Sequence, residues 1–67
     1  MKCRVHFKRE SKDIEYEFYE GEKLSEMLLS FGLIPDTVII LADDRPVPED
    51  EYIAEAGYVI METASRG

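Results

Sequence analysis

The sequence predicts a small α+β domain, in which one main helix packs on a mixed sheet of four to five strands. Three observations support this prediction. The chain has 67 residues, enough for a single hydrophobic core but not for two. Its apolar fraction of 45% is typical of a folded globule. Apolar residues recur with the period of a strand, then with that of a helix, and then in strand-like runs.

The first two predicted strands form a hairpin, because both segments alternate apolar and polar side chains as half-buried strands do. The polar stretch 9–13 between them has the length of a hairpin loop. The inward-facing side chains are Cys3, Val5, Phe7, Ile14, Tyr16 and Phe18. Outward-facing residues of opposite charge are expected to pair across the two strands.

The predicted helix follows Gly21 and carries an apolar stripe at helical spacing. The stripe consists of Leu24, Met27, Leu28 and Phe31. Gly32 has the position of a residue that ends a helix in the left-handed conformation. Neither Glu22 nor Lys23 is a good N-cap, so the N-terminal end of this helix is expected to fray.

The second half of the chain predicts three further strands. A continuous apolar run at 38–42 is typical of a strand that is covered on both faces or meets a partner. A turn at 43–44 leads to a short edge segment, 45–48, whose two prolines limit pairing. The final strand, 58–63, is the most apolar and therefore the most central. The order along the chain is β-β-α-β-β-β.

This order is that of the β-grasp, or ubiquitin-like, architecture. The last strand then lies parallel to the first, and the helix covers one face of the sheet. The opposite face is expected to expose Ile39, Leu41, Tyr58 and Ile60 as a contiguous apolar patch. Exposed apolar patches with polar rims mark contact sites, so these four residues are predicted to bind a partner protein.

Composition excludes several classes of function. Fifteen acidic and eight basic residues give a net charge of −7, which disfavours nucleic acid and anionic membranes and favours a basic protein surface. One cysteine, Cys3, allows no internal disulfide, and His6 falls on the opposite strand face. No nucleophile–base pair, metal site or bound cofactor is therefore predicted. Without an apolar span or signal peptide, a monomeric cytoplasmic protein is expected.

Residues 64–67 are predicted to form a flexible C-terminal tail of the single domain, which spans residues 1–67. The tail continues from the most apolar strand and ends in Gly67. Glycine has no Cβ, so its backbone can enter a narrow slot that excludes other residues. The α-carboxylate of Gly67 is accordingly the best candidate for a reacting group.

Three segments, 23–29, 38–48 and 57–61, together with the hairpin, resemble the sulfur-carrier proteins of thiamine and molybdopterin biosynthesis. The resemblance implies that an ATP-dependent activating enzyme adenylates the terminal glycine, and that a sulfur donor converts it to a thiocarboxylate. The sulfur would then pass to a biosynthetic synthase or a tRNA-modifying enzyme. It also implies a co-substrate rather than an enzyme. Gly67 would carry the chemistry, and Ser65 and Arg66 would thread the tail.

The chain differs from that family at three places. The family ends in Gly-Gly, whereas Arg66 is penultimate here, and the tail is a residue or two shorter. The usual Asn-Gly turn is replaced by Asp43-Asp44, which is expected to change the turn geometry. Two alternatives stay open: a β-grasp interaction module without tail chemistry, and an acidic inhibitor-like binder of a basic protein.

Overall fold

The computed structural model describes residues 1–63 and contains a five-stranded sheet with one α-helix and one short 3-10 helix. The elements are β1 (Lys2–Phe7), β2 (Lys12–Glu17), α1 (Leu24–Ser30), the 3-10 helix (Pro35–Thr37), β3 (Val38–Ala42), β4 (Arg45–Val47) and β5 (Gly57–Glu62). The predicted tail, 64–67, lies outside the described residues. No helix among residues 1–63 has the length and apolar character that a membrane crossing requires.

The sheet has the order β2-β1-β5-β3-β4, which confirms the predicted β-grasp arrangement. The last strand, β5, occupies the centre, where it pairs parallel with β1 and antiparallel with β3. Helix α1 covers one face, and its buried side chains join those of the sheet in a single core. The buried apolar residues are Cys3, Val5, Phe18, Leu24, Met27, Leu28, Ile40, Ile53, Tyr58 and Ile60.

The β1–β2 hairpin has the predicted faces and the predicted charge pairing. Val5 lies opposite Ile14 on the core face. On the outer face, the ammonium of Lys2 lies 3.7 Å from a carboxylate oxygen of Glu15. The His6 ring is bonded to Asp13 at 2.8 Å across the strands.

The N-terminal end of α1 is held by a distant loop together with Glu26, whose carboxylate accepts a hydrogen bond from the N–H of Lys23 at 3.4 Å. The backbone N–H groups of Leu24 and Ser25 donate to the carbonyl oxygens of Glu51 and Glu49, at 2.9 and 2.8 Å. These bonds satisfy helix donors that a poor N-cap would leave open. Lys23 makes no side-chain cap bond of its own, as expected of a poor N-cap, and residues distant in sequence supply the acceptors instead. The fraying of this helix start stays a prediction.

The C-terminal end of α1 is closed by Gly32, as predicted. Its φ of +80° lies in the left-handed region, which glycine adopts without a Cβ penalty. The N–H of Leu33 donates to Leu28 at 3.0 Å, and that of Gly32 donates to Leu29 at 2.9 Å. This pair of bonds is the Schellman motif, and it directs the chain out of the helix toward β3.

The turn between β3 and β4 retains the geometry that Asn-Gly would give. Asp43 and Asp44 both have positive φ, 53° and 63°, between the paired residues Ala42 and Arg45. Two central residues with positive φ define the type I′ hairpin turn. The prediction of a changed turn geometry is wrong, because the turn type is kept. Both aspartates carry a Cβ, so their left-handed backbone conformation is sterically strained.

Candidate functional site

The register between β3 and β5 decides which side chains lie on the uncovered face of the sheet. Ile40 lies opposite Ile60, and both are buried beneath α1, with exposed fractions of 3% and 1%. Alternation along each strand sends the neighbouring side chains to the other face. We call four of these neighbours the outer-face patch: Ile39, Leu41, Val59 and Met61.

The outer-face patch consists of two cross-strand pairs on adjacent strands. Ile39 lies opposite Met61, and Leu41 lies opposite Val59. Ile39 is 39% exposed and the other three are half-buried, although no part of α1 covers this face. The surface continues onto the two flanking strands, where Pro46 of β4 lies beside Leu41 and His6 of β1 lies beside Val59. The result is a contiguous apolar surface on two central strands, with a polar border on β1.

Two of the four predicted patch residues were placed on the wrong face. Tyr58 and Ile60 are core residues, and the Tyr58 hydroxyl accepts a hydrogen bond from the N–H of Ala54 at 2.9 Å. The run 58–61 is apolar at every position, so the sequence gives no alternation from which to choose the outward set. A one-residue change of phase moves a whole strand's side chains to the opposite face. Ile39 and Leu41 do lie on the outer face; their role in binding stays a prediction.

The end of β5 is fixed by contacts that the sequence does not predict. The backbone N–H and the hydroxyl of Thr63 both donate to the carbonyl oxygen of Thr37, at 2.9 and 3.0 Å. The guanidinium of Arg9 lies 2.8 Å from a carboxylate oxygen of Glu62. These contacts join the end of β5 to the 3-10 helix and to the hairpin loop. They depend on the folded topology, so no local pattern could have identified Thr63 or Arg9.

The predicted reacting and threading residues, Gly67, Ser65 and Arg66, lie outside the described residues. The structure does define the position of the residues that come just before them, since Glu62 is paired with Arg9 and Thr63 is hydrogen-bonded to Thr37. The outer-face patch includes Met61, which precedes this anchored end by one residue. A partner seated on the patch would therefore lie beside Glu62 and Thr63, where the described chain ends.

A buried polar cluster stands beneath α1, on the side of the sheet away from the patch. Glu22 is 5% exposed, and its carboxylate accepts hydrogen bonds from the Tyr16 hydroxyl at 2.5 Å and from the Tyr19 N–H at 3.2 Å. Burial, followed by the bond to Glu22, raises the pKa of Tyr16. This cluster ties β2 to the loop before α1.

Cys3 is a packing residue, as predicted. It is 3% exposed, and burial together with the negative charge of Glu22 raises the pKa of its thiol. The thiolate is the nucleophilic form, and both the burial and the raised pKa disfavour it. His6 faces the opposite side and is bonded to Asp13. Among residues 1–63, no group of three or more His, Cys, Asp or Glu side chains could hold a metal ion.

Comparison with known proteins agrees with this geometry. A family model described as small archaeal modifier protein 2 matches residues 1–62, which span the whole described sheet and helix. An uncharacterized protein of Archaeoglobus fulgidus is 40% identical over 60 residues, which cover 88% of this chain and 87% of the relative. Both similarities extend over the fold as a unit and are not confined to one motif.

Proposed function

Since this chain belongs to the small archaeal modifier protein 2 family, a ubiquitin-like sulfur-carrier family, we propose that its reactive group is the Gly67 carboxylate. Such a protein is a carrier or modifier rather than a catalyst, so another enzyme must activate it. The observation that supports the assignment most directly is the family match over residues 1–62. The described chain ends at Thr63, directly after a central strand, and this is compatible with chemistry on the residues that follow.

The proposed reaction has two steps. A Gly67 carboxylate oxygen attacks the α-phosphorus of ATP, pyrophosphate leaves, and an acyl adenylate results. Hydrosulfide from a sulfur donor then adds to the acyl carbon, AMP leaves, and loss of the thiol proton yields the thiocarboxylate. A carboxylate is a poor electrophile, and adenylation supplies the leaving group that makes the second step possible. The activating enzyme uses the ATP, and the carrier needs no bound cofactor of its own.

We further propose that the activating enzyme docks on the outer-face patch. Apolar side chains on two rigid central strands give a contact surface that needs little ordering on binding. The anchored residues Glu62 and Thr63 then present the following residues at a fixed starting point. The accepting partner would be a sulfur-dependent synthase, a tRNA-modifying enzyme or, for a modifier, a target protein.

The test of the tail chemistry is intact mass spectrometry after incubation with an archaeal activating enzyme, ATP and a sulfide source. We expect the mass change that corresponds to replacing one oxygen by sulfur, located on the C-terminal peptide. A variant lacking Gly67, and a sample without ATP, should show no change. An unchanged mass with an enzyme that activates its own carrier in parallel would overturn the proposal.

The test of the docking face compares two exposed isoleucines. Ile39→Asp places a charge within the patch, whereas Ile34→Asp places the same charge at a residue that is 63% exposed and lies before the 3-10 helix. We expect Ile39→Asp to raise the Kd for the activating enzyme about tenfold or more, because a central apolar contact is lost. Ile34→Asp should leave it nearly unchanged. Equal effects of the two variants would contradict the assigned face.

The exposed patch also favours a second candidate, a non-covalent interaction module that uses the same face. This candidate predicts that deletion of Arg66 and Gly67 leaves partner binding unchanged and that no adenylate forms. The carrier hypothesis predicts that the deletion abolishes adenylate formation while docking persists. Pyrophosphate release, measured beside the binding constant, separates the two.

A further inference from the structure

The edge of the sheet at β2 provides a second interaction surface, distinct from the outer-face patch. Within residues 1–63, β2 pairs with β1 on one side and with no strand on the other. The opposite edge, β4, has three residues and contains Pro46, which has no N–H to donate. β2 is twice as long and contains no proline. Within residues 1–63, the β2 edge therefore presents the longer uninterrupted row of N–H and C=O groups for strand addition.

The backbone groups that face outward on β2 can be identified from the register. Met1 and Phe18 exchange backbone hydrogen bonds, with the Phe18 N–H donating at 2.7 Å and the Met1 amine donating at 3.2 Å. In an antiparallel pair, bonded and non-bonded residue pairs alternate. The N–H and C=O groups of Asp13, Glu15 and Glu17 therefore point away from β1. Their three carboxylate side chains stand on the outer face of the sheet.

A groove lies beside this edge on the core face of β2. Its volume is about 400 Å³. Its walls are the apolar side chains of Phe7, Ile14, Phe31 and Leu33, with Glu10, Lys12 and Glu62 at the margin. An added strand would alternate its side chains between the outer face and this groove. Apolar side chains opposite Lys12 and Ile14 would enter the groove.

We propose that the β2 edge binds an extended segment of another protein in which basic and apolar residues alternate. Side chains directly opposite in an added strand share a face, so its outward residues meet Asp13, Glu15 and Glu17. Lysine or arginine at these positions complements the carboxylates, and the net charge of −7 favours the approach of such a segment. The backbone bonds supply affinity, and the groove selects the apolar side chains.

A second copy of this chain is a poor occupant of the same edge. Antiparallel pairing of two β2 strands would place the acidic rows of both copies opposite each other on one face. Like charges directly opposite destabilise a strand pair. The acidic row therefore opposes self-association while it admits a basic strand. The inference does not depend on the tail chemistry, and either proposal can fail alone.

The probe for this proposal is a short peptide of alternating lysine and valine with uncharged, capped termini. It is titrated into the full chain, and the backbone amide signals are followed by NMR. We expect the amides of Asp13, Glu15 and Glu17 to shift and to gain protection from hydrogen exchange. A peptide of the same composition, with its lysines and valines in separate blocks, should bind more weakly. Shifts centred on Ile39 and Leu41 would overturn the proposal.

Two variants test the backbone and charge contributions separately. Glu15→Pro removes one outward N–H without removing a bond to β1, and it should weaken peptide binding about three- to tenfold. Glu17→Lys should weaken it about threefold, whereas Asp50→Lys makes the same change of net charge in a turn and should not. Circular dichroism verifies that each variant is folded.

Equal weakening by Glu17→Lys and Asp50→Lys would show unspecific attraction between charges and contradict the proposal. So would unchanged binding by folded Glu15→Pro. Without peptide, the β2 amide signals should not change with protein concentration. Shifts that grow with concentration would identify a second copy of the chain as the occupant and would overturn the proposal.

Discussion

Single residues in this chain take conformations and ionisation states that only their surroundings explain. Asp43 and Asp44 illustrate the first point, since both occupy the left-handed region in a turn that two strands impose. Aspartate enters this region more readily than most residues, but glycine does so without steric cost. The hairpin register therefore outweighs the local preference of both residues.

Replacement of Asp44 by glycine should stabilise the protein. Asp44→Gly relieves left-handed strain, and the greater freedom of glycine in the unfolded chain offsets part of the gain, so we expect about 0.5 kcal/mol. Urea denaturation measures the change. Asp50→Gly is the matched control at a residue without positive φ, and it should lose stability. A lower unfolding free energy for Asp44→Gly would contradict the strain argument.

Alkaline pH should destabilise the protein through Cys3 and Tyr16. The pKa of Cys3 is raised above its ordinary 9.0, and that of Tyr16 above its ordinary 10.0, first by burial and then through Glu22. The folded state therefore holds these protons more tightly than the unfolded chain. Their contribution is fully present below the unfolded pKa values and is lost as pH rises through the folded ones.

The measurement is the free energy of unfolding in urea as a function of pH, from 8 to about 11. We expect it to fall above pH 9, and to fall less in a Cys3→Ala variant. The hydrogen bond to Glu26 raises the pKa of the exposed Tyr19 from 10.0 to about 12, so by the same linkage Tyr19 adds to the fall above pH 10. A flat or rising profile above pH 9 would be inconsistent with the raised pKa values.

At the scale of elements, long-range contacts complete what local sequence leaves open. Helix α1 has the predicted apolar stripe and the predicted glycine end, because both follow from helical spacing and the φ of Gly32. Its N-terminal donors are satisfied by Glu49 and Glu51, which no helix-start pattern includes. The buried carboxylate of Glu22 likewise depends on a hydroxyl from β2.

Removal of that hydroxyl should weaken the contact between β2 and the loop before α1. Tyr16→Phe takes one of two hydrogen-bond donors from a buried carboxylate, and we expect a loss of about 1–3 kcal/mol in thermal or urea unfolding. Tyr52→Phe is the control, because Tyr52 is 65% exposed. Equal stability of the two variants would show that Glu22 does not need the Tyr16 hydroxyl.

For the whole molecule, the register of β5 decides which of its side chains enter the core and which join the outer-face patch. Ile60 lies in the core, and Ile39 lies on the face that α1 leaves uncovered. The two residues share a chemical type and occupy adjacent, paired strands. Their different roles arise from the register alone, because Ile60 meets Ile40 whereas Ile39 meets Met61.

Alanine substitutions should show this difference in stability. Ile60→Ala creates a cavity in the core and should cost about 2–5 kcal/mol. Ile39→Ala removes a partly exposed side chain, and the loss should be below about 1.5 kcal/mol. Urea denaturation of both variants gives the comparison. A loss for Ile60→Ala as small as that for Ile39→Ala would mean that the side chains of Tyr58 and Ile60 face outward instead.

Local sequence patterns were sufficient to predict the β-grasp class, the β1–β2 hairpin, the apolar stripe of α1 and the end of that helix at Gly32. Each follows from alternation, helical spacing or a residue with special backbone freedom, and these signals act over a few neighbouring positions. The resemblance of the segments between Lys23 and Met61 to sulfur carriers indicated the family.

Three features depend on contacts between distant segments: which alternate side chains of β5 face outward, how α1 is capped, and which edge of the sheet stays open within residues 1–63. A run that is apolar at every position does not indicate which of its side chains face outward. The pairing with β3 places Val59 and Met61 on the outer face and leaves Tyr58 and Ile60 in the core. The contacts of Thr63 and Arg9 join residues that are distant in sequence. Local patterns cannot encode such contacts, because they exist only after the strands have found their order.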